Sequence, residues 1–154
     1  MRLEELLVRT LSDSPIPWDN VDGVYLFAQT SDNESSVLNG AARVWMKTRR
    51  RILVSDGETG HGYPGYQRWR EGLIMRGVLP QWILPVHTPY EIGINTLTEA
   101  QSLVREAGKN GCQTLVISAA PLHQLRAFIT TVSVLLREYP LLRVYSQVGR
   151  PLAW

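Results

Sequence analysis

Residues Thr114 to Leu136 read TLVISAAPLHQLRAFITTVSVLL, and the grammar of the whole chain is set by that run. Its opening, Thr114–Ser118, is apolar almost without interruption, the pattern of a strand covered on both faces. Two alanines later the period changes. Leu122, Leu125, Phe128, Ile129, Val132, Leu135 and Leu136 recur at helical intervals, and Pro121 suits the first helical position. A buried strand that passes directly into an amphipathic helix is the unit from which parallel sheets are built.

The same alternation extends outward on both sides. Upstream, Leu97, Ala100, Leu103, Val104 and Ala107 form a helical stripe, preceded by a strand at Trp82 to Val86 with Pro85 marking an edge position. Tyr66, Trp69, Leu73 and Ile74 predict a helix stopped by Gly77, after a strand at Arg51 to Ser55 and an irregular loop from Asp56 to Gly65. Val21 to Ala28 predicts the first strand. Ser31 and Glu34, at capping-box spacing, predict the start of the helix that carries Val37, Leu38, Ala41, Val44 and Trp45. Downstream, Pro140 ends the long helix and Leu142 to Ser146 predicts a last strand. Leu3, Leu6, Leu7 and Leu11 share one face of a lead-in helix, closed by Pro15 and Pro17. The expected organisation is an N-terminal helix and linker over 1–20, then one α/β domain over 21–154. Strict alternation implies right-handed crossovers, hence a three-layer α/β/α Rossmann-like fold around a mainly parallel sheet of about five strands.

Composition narrows the function. The chain has 154 residues, 44% of them hydrophobic and 19% charged, which suits one domain with a real core. Sixteen basic against 14 acidic residues leave a net charge of +2, too small a basic excess to imply nucleic acid as a partner. Cys112 stands alone, so no internal disulfide is available. Glu4 and Glu5 interrupt the first apolar stretch, and no apolar run approaches membrane-spanning length. The expectation is a cytoplasmic protein with no membrane partner.

In parallel sheets ligands settle beyond the carboxyl ends of the strands. Four loops then matter: Gln29 to Asn33, Asp56 to Gly65, Thr88 to Asn95, and Ser118 to His123. At the last of these Ala120 offers no capping oxygen, so the helix begins with free amide donors and an uncompensated dipole, a setting that favours an anion unless Ser118 or water fills it. His123 and Arg126, three residues apart, share a face near that end. Thr96 and Glu99 have capping-box spacing, with Asn95 beside them free to reach a pocket. The glycine loop, with Gly57, Gly60, Gly62 and Gly65, matches neither a phosphate-binding loop nor a dinucleotide fingerprint, but Asp56, Glu58 and His61 place polar groups at a strand end. The three histidines lie far apart and imply no metal site, and no Gly-x-Ser-x-Gly elbow supports nucleophilic catalysis.

The succession of strand, glycine loop, a helix ending Arg76-Gly77-Val78, then Asn95-Thr96-x-x-Glu99-Ala100 and Ser118-Ala119-x-x-x-His123-x-x-Arg126-Ala127 resembles the YdcF-like family, which includes SanA and ElyC. The resemblance spans residues 21 to 148 or so. It implies a Rossmann-like fold of poorly defined activity, with some members binding S-adenosylmethionine and others tied to envelope integrity. By motif match it implies functional positions at Asn95, Thr96, Glu99, Ser118, His123 and Arg126. Asp56, Gly57, Glu58 and His61 are added from loop position. The leading expectation is a domain that binds an anionic or nucleotide-like small molecule, S-adenosylmethionine being one such cofactor. The alternatives are a hydrolase or transferase acting on a phosphorylated metabolite or envelope precursor, with Glu58 or His123 moving the proton, and a non-catalytic interaction module using Trp18 and Trp154.

Overall fold

A strand apolar at every position has no face to give to water, so it belongs in the middle of a layered structure. β1 (Gly23–Leu26) and β4 (Thr114–Ser118) are buried at every residue and lie side by side at the centre of the sheet. The computed structural model describes residues 15–89 and 93–152. β2 (Arg51–Ser55) and β3 (Ile83–Val86) extend the sheet on the β1 side, and β5 (Arg143–Ser146) extends it beyond β4. The order is β3-β2-β1-β4-β5 and every pairing is parallel.

Alternate residues of the central strands feed two separate cores. Val24 and Leu26 face α1 (Glu34–Thr48) and α2 (Tyr66–Met75), where Trp45, Trp69 and Leu73 cover them. Tyr25 and Phe27 face α3 (Thr96–Lys109) and α4 (Pro121–Glu138), packed under Leu103, Phe128 and Leu135. The domain is therefore the expected three-layer α/β/α Rossmann-like fold with five parallel strands. The chain winds outward from β1 to β3, returns through α3, and winds outward again from β4 to β5. Strand order reverses between β1 and β4, which leaves a crevice at their carboxyl ends.

Local differences have local causes. The lead-in helix expected at 3 to 11 lies outside the described residues. β3 starts at Ile83 because Pro80 opens a short 3-10 turn, Pro80–Trp82, ahead of it. The capping pair expected at Ser31 and Glu34 does not form. The amides of Asn33 and Glu34 both donate to the Thr30 carbonyl, which inserts a turn and makes Asn33 the N-cap without a side-chain bond to the helix. On α4 the sheet-facing positions are Gln124, Ala127, Phe128, Thr131, Val134 and Leu135. Leu122 and Leu136, expected on the core stripe, are 89% and 63% exposed. Gln124 takes the inner position at no polar penalty, since its side chain accepts from the Ala119 amide and donates to Ile117 O and Ser146 Oγ.

Candidate functional site

The crevice opens into a cavity of about 1110 Å³, large enough for a metabolite-sized ligand. Its walls are the β1–α1 loop, the first turns of α3 and α4, His61 and Tyr63 from the glycine loop, and Pro151 with Leu152 from the C-terminal segment.

The first turn of α3 is capped one residue earlier than the sequence spacing predicts. Asn95 Oδ1 accepts from the amides of Leu97 and Thr98, at 3.0 Å each, and Thr98 Oγ1 accepts from the Asn95 amide at 3.1 Å. Asn95 and Thr98 are thus the capping box, because the hydroxyl of Thr98 stands at the third helical position and Glu99 stands one beyond it. Released from capping, Glu99 turns inward. It is 1% exposed, and its Oε1 accepts from the Tyr25 hydroxyl at 3.0 Å and the Ala28 amide at 2.8 Å. Burial pushes its carboxyl from 4.5 up to about 7, partly opposed by those two donors. Tyr25 is raised well above its ordinary range, first by burial and then by the Glu99 charge, so it remains the donor.

His123 is held from both sides. Its Nδ1 lies 2.8 Å from Gln29 Nε2 and its Nε2 lies 3.0 Å from Thr96 Oγ1, with the Phe27 ring edge-on at 5.9 Å. Burial, and secondarily the Arg126 charge, lowers its pKa from 6.5 to about 4, so the imidazole is neutral at physiological pH. One turn on, Arg126 lines the cavity with no ion pair or hydrogen bond among the described residues.

The α4 amino end is open as its sequence predicts. Ala120 supplies no side-chain cap, and no acidic residue occupies the first turn. The amides of His123 and Gln124 both turn back to the Ala120 carbonyl, and Pro121 has none to give, which leaves Leu122 N–H at the cavity mouth. Asn33, Asp32 and Ser36 bring the α1 amino end to the same cavity.

The remaining expected residues fall elsewhere. Ser118 is 2% exposed, inside the sheet, and does not line the cavity; its carbonyl accepts from Phe27 N–H. Asp56 ties the ends of β2 and β3 together, accepting from the Thr88 amide at 2.8 Å and lying 2.9 Å from His87 Nδ1. Gly57 is a close-approach position, where a Cβ would lie 2.2 Å from Ile94 Cδ1. Glu58 is exposed over a separate depression of about 220 Å³, not over the main cavity. His61, at a positive φ of 50°, borders both hollows, and its ring lies over the Gly93 backbone. Among the described residues no three His, Cys, Asp or Glu side chains come together as a metal set. No described helix is long and apolar enough to cross a membrane. Trp18 packs partly buried against the core, and Trp154 lies outside the described residues.

Two residues that support the site, Tyr25 and Gln29, were not singled out by sequence reasoning. Tyr25 carried a signal, since a hydroxyl inside a fully buried strand requires a partner. Gln29 carried a weaker one, as a polar residue just past a strand.

Fold and crevice together define a Rossmann-like α/β domain with a ligand-sized hollow at its switch point. No protein-family model and no curated protein matches the chain.

Proposed function

We propose that the chain is a divergent YdcF-like domain that binds an anionic or nucleotide-like small molecule, S-adenosylmethionine included, in the crevice between β1 and β4. The observation that carries this reading is Arg126, unpaired among the described residues, on the wall of the cavity beside the uncapped amino end of α4. A guanidinium and the free Leu122 amide at a helix amino end favour negative charge there, and the resembling motifs converge on it through Thr96, Glu99, His123 and Arg126. A thermal-shift panel of nucleotides, S-adenosylmethionine and sugar phosphates tests it. A ligand present at a hundred times its Kd adds about 2.7 kcal/mol to the stability of the wild type. The His123→Ala, Arg126→Ala double variant is expected to gain nothing. The proposal fails if no compound stabilises the wild type more than the double variant.

A second reading, a hydrolase or transferase on a phosphorylated metabolite, draws support from Glu99 alone, a cavity carboxyl whose pKa of about 7 suits proton transfer. Glu58 sits outside the cavity, and both ring nitrogens of His123 are engaged. Phosphate release from monoesters that disappears in Glu99→Gln is the expected signature; release unchanged in that variant removes the reading.

A further inference from the structure

The α4 end accounts for one side of the cavity's polar wall, and α3 supplies another. Both described hydrogen bonds of Glu99 fall on Oε1, so Oε2 is left without a partner among the described residues, in a side chain 1% exposed that lines the cavity. Thr96, three residues earlier on the same face of α3, lines it too. The direction of the Thr96 bond to His123 can be worked out from the far end. Gln29 Nε2 donates to the Phe27 carbonyl at 3.0 Å, which puts the amide's NH₂, and not its oxygen, against His123 Nδ1. Nδ1 is then the acceptor, the ring proton sits on Nε2, and Nε2–H donates to Thr96 Oγ1. A hydroxyl that accepts from His123 keeps its own proton for another partner. Above a pH of about 7, where Glu99 is ionised, the α3 wall therefore offers the cavity one acceptor, Glu99 Oε2, and one donor, the Thr96 hydroxyl.

We infer that Glu99 and Thr96 form a hydroxyl-reading subsite, so that the ligand is a phosphorylated sugar or polyol with its single anionic group at α4 and its hydroxyls at α3. This rests on the anion-binding reading above and names the ligand class for it. A hydroxyl both gives and takes a hydrogen bond, matching the pair; an ammonium only gives, and leaves the Thr96 proton facing another donor. A polyphosphate is disfavoured by charge, since Arg126 is the one arginine or lysine among the described lining residues, against the carboxyls of Asp32 and Glu99.

Calorimetric titration of the full chain with inorganic phosphate, ribose 5-phosphate and phosphoethanolamine separates the possibilities. The wild type is expected to bind ribose 5-phosphate about tenfold more tightly than inorganic phosphate, the increment of one or two net hydrogen bonds. Glu99→Gln keeps an oxygen for Tyr25 and Ala28 but turns the cavity-facing acceptor into a donor. It should bring the affinity for ribose 5-phosphate down to that for inorganic phosphate, and Thr96→Val should do the same. Equal affinity of the two probes in the wild type, survival of the increment in Glu99→Gln, or tighter binding of phosphoethanolamine than of ribose 5-phosphate would each overturn the subsite and leave the anion site standing. A wild type that binds none of the three overturns the anion site itself, and the subsite with it.

Discussion

Two polar loop regions sit at the carboxyl edge of the same sheet and have opposite fates. Around the end of β2, Asp56 ties to β3, Tyr63 donates to the Ser55 carbonyl, and Thr59 Oγ1 donates to the Pro64 carbonyl, so the polar groups mostly hold the loop itself. Around the β1/β4 crevice the bonds leave a remainder: one carboxylate oxygen of Glu99, one hydroxyl proton on Thr96, the Arg126 guanidinium and the open end of α4. Both regions carry histidine and acidic side chains. What separates them is topology: strand order reverses between β1 and β4, their following helices go to opposite faces, and the larger gap between loops opens there.

The largest test of this contrast is the pH dependence of stability. Folding raises the Glu99 pKa from 4.5 to about 7, so the folded state holds that proton more tightly than the unfolded chain does. The contribution of Glu99 is therefore full below pH 4.5 and is lost as pH rises through about 7, roughly 3 kcal/mol in all. His123 works in the other direction. Its pKa falls from 6.5 to about 4, so its contribution is present above pH 6.5 and lost as pH falls through about 4. The two windows overlap with opposite sign, so urea melts should show wild-type stability nearly flat from about pH 4 to 7, whereas Glu99→Gln should rise across that range with the His123 limb alone. A variant as flat as the wild type would place the compensating group elsewhere and break the contrast.

These assignments also mark how far the sequence could be read. Strands such as Thr114 to Ser118 are recognisable alone, because burial on both faces leaves a nearly continuous apolar run, and the alternation with helices fixes the layered fold. The open end of α4 was legible too, since Ala120 and Pro121 exclude a cap by their chemistry. The inward turn of Glu99 was not. Its spacing from Thr96 fits a capping box, and the choice of Asn95 as cap, which frees Glu99, depends on where the chain enters from Gly93, whose carbonyl accepts from Thr98. Gln29 was illegible for a similar reason: its partner His123 lies 94 residues away and is brought to it only by the pairing of β1 with β4.

A smaller effect separates structure from binding within the β2 region. Asp56→Ala removes the acceptor of the Thr88 amide, in a residue that is fully buried. A loss of about 1–2 kcal/mol is expected in urea melts, with the affinity for inorganic phosphate unchanged. Stability intact but affinity lowered would mean that Asp56 serves a ligand, and the two regions would then be one site.

The smallest expected effect is the most exposed to refutation. Glu58 lies at a strand end, beside a glycine loop and next to His61, which by sequence alone makes it as plausible a proton carrier as any residue in the chain. In the fold it is exposed, and the depression below it, about 220 Å³, is a fifth of the crevice's about 1110 Å³. An exposed side chain away from a packed contact changes stability by less than about 0.5 kcal/mol when replaced. Glu58→Gln should therefore match the wild type in melting temperature and in affinity for ribose 5-phosphate. Lost affinity at unchanged stability in that one variant would show that a ligand spans from the crevice across His61 and Ile94, the two residues the hollows share, and that the boundary between the regions is a wall only in the empty molecule.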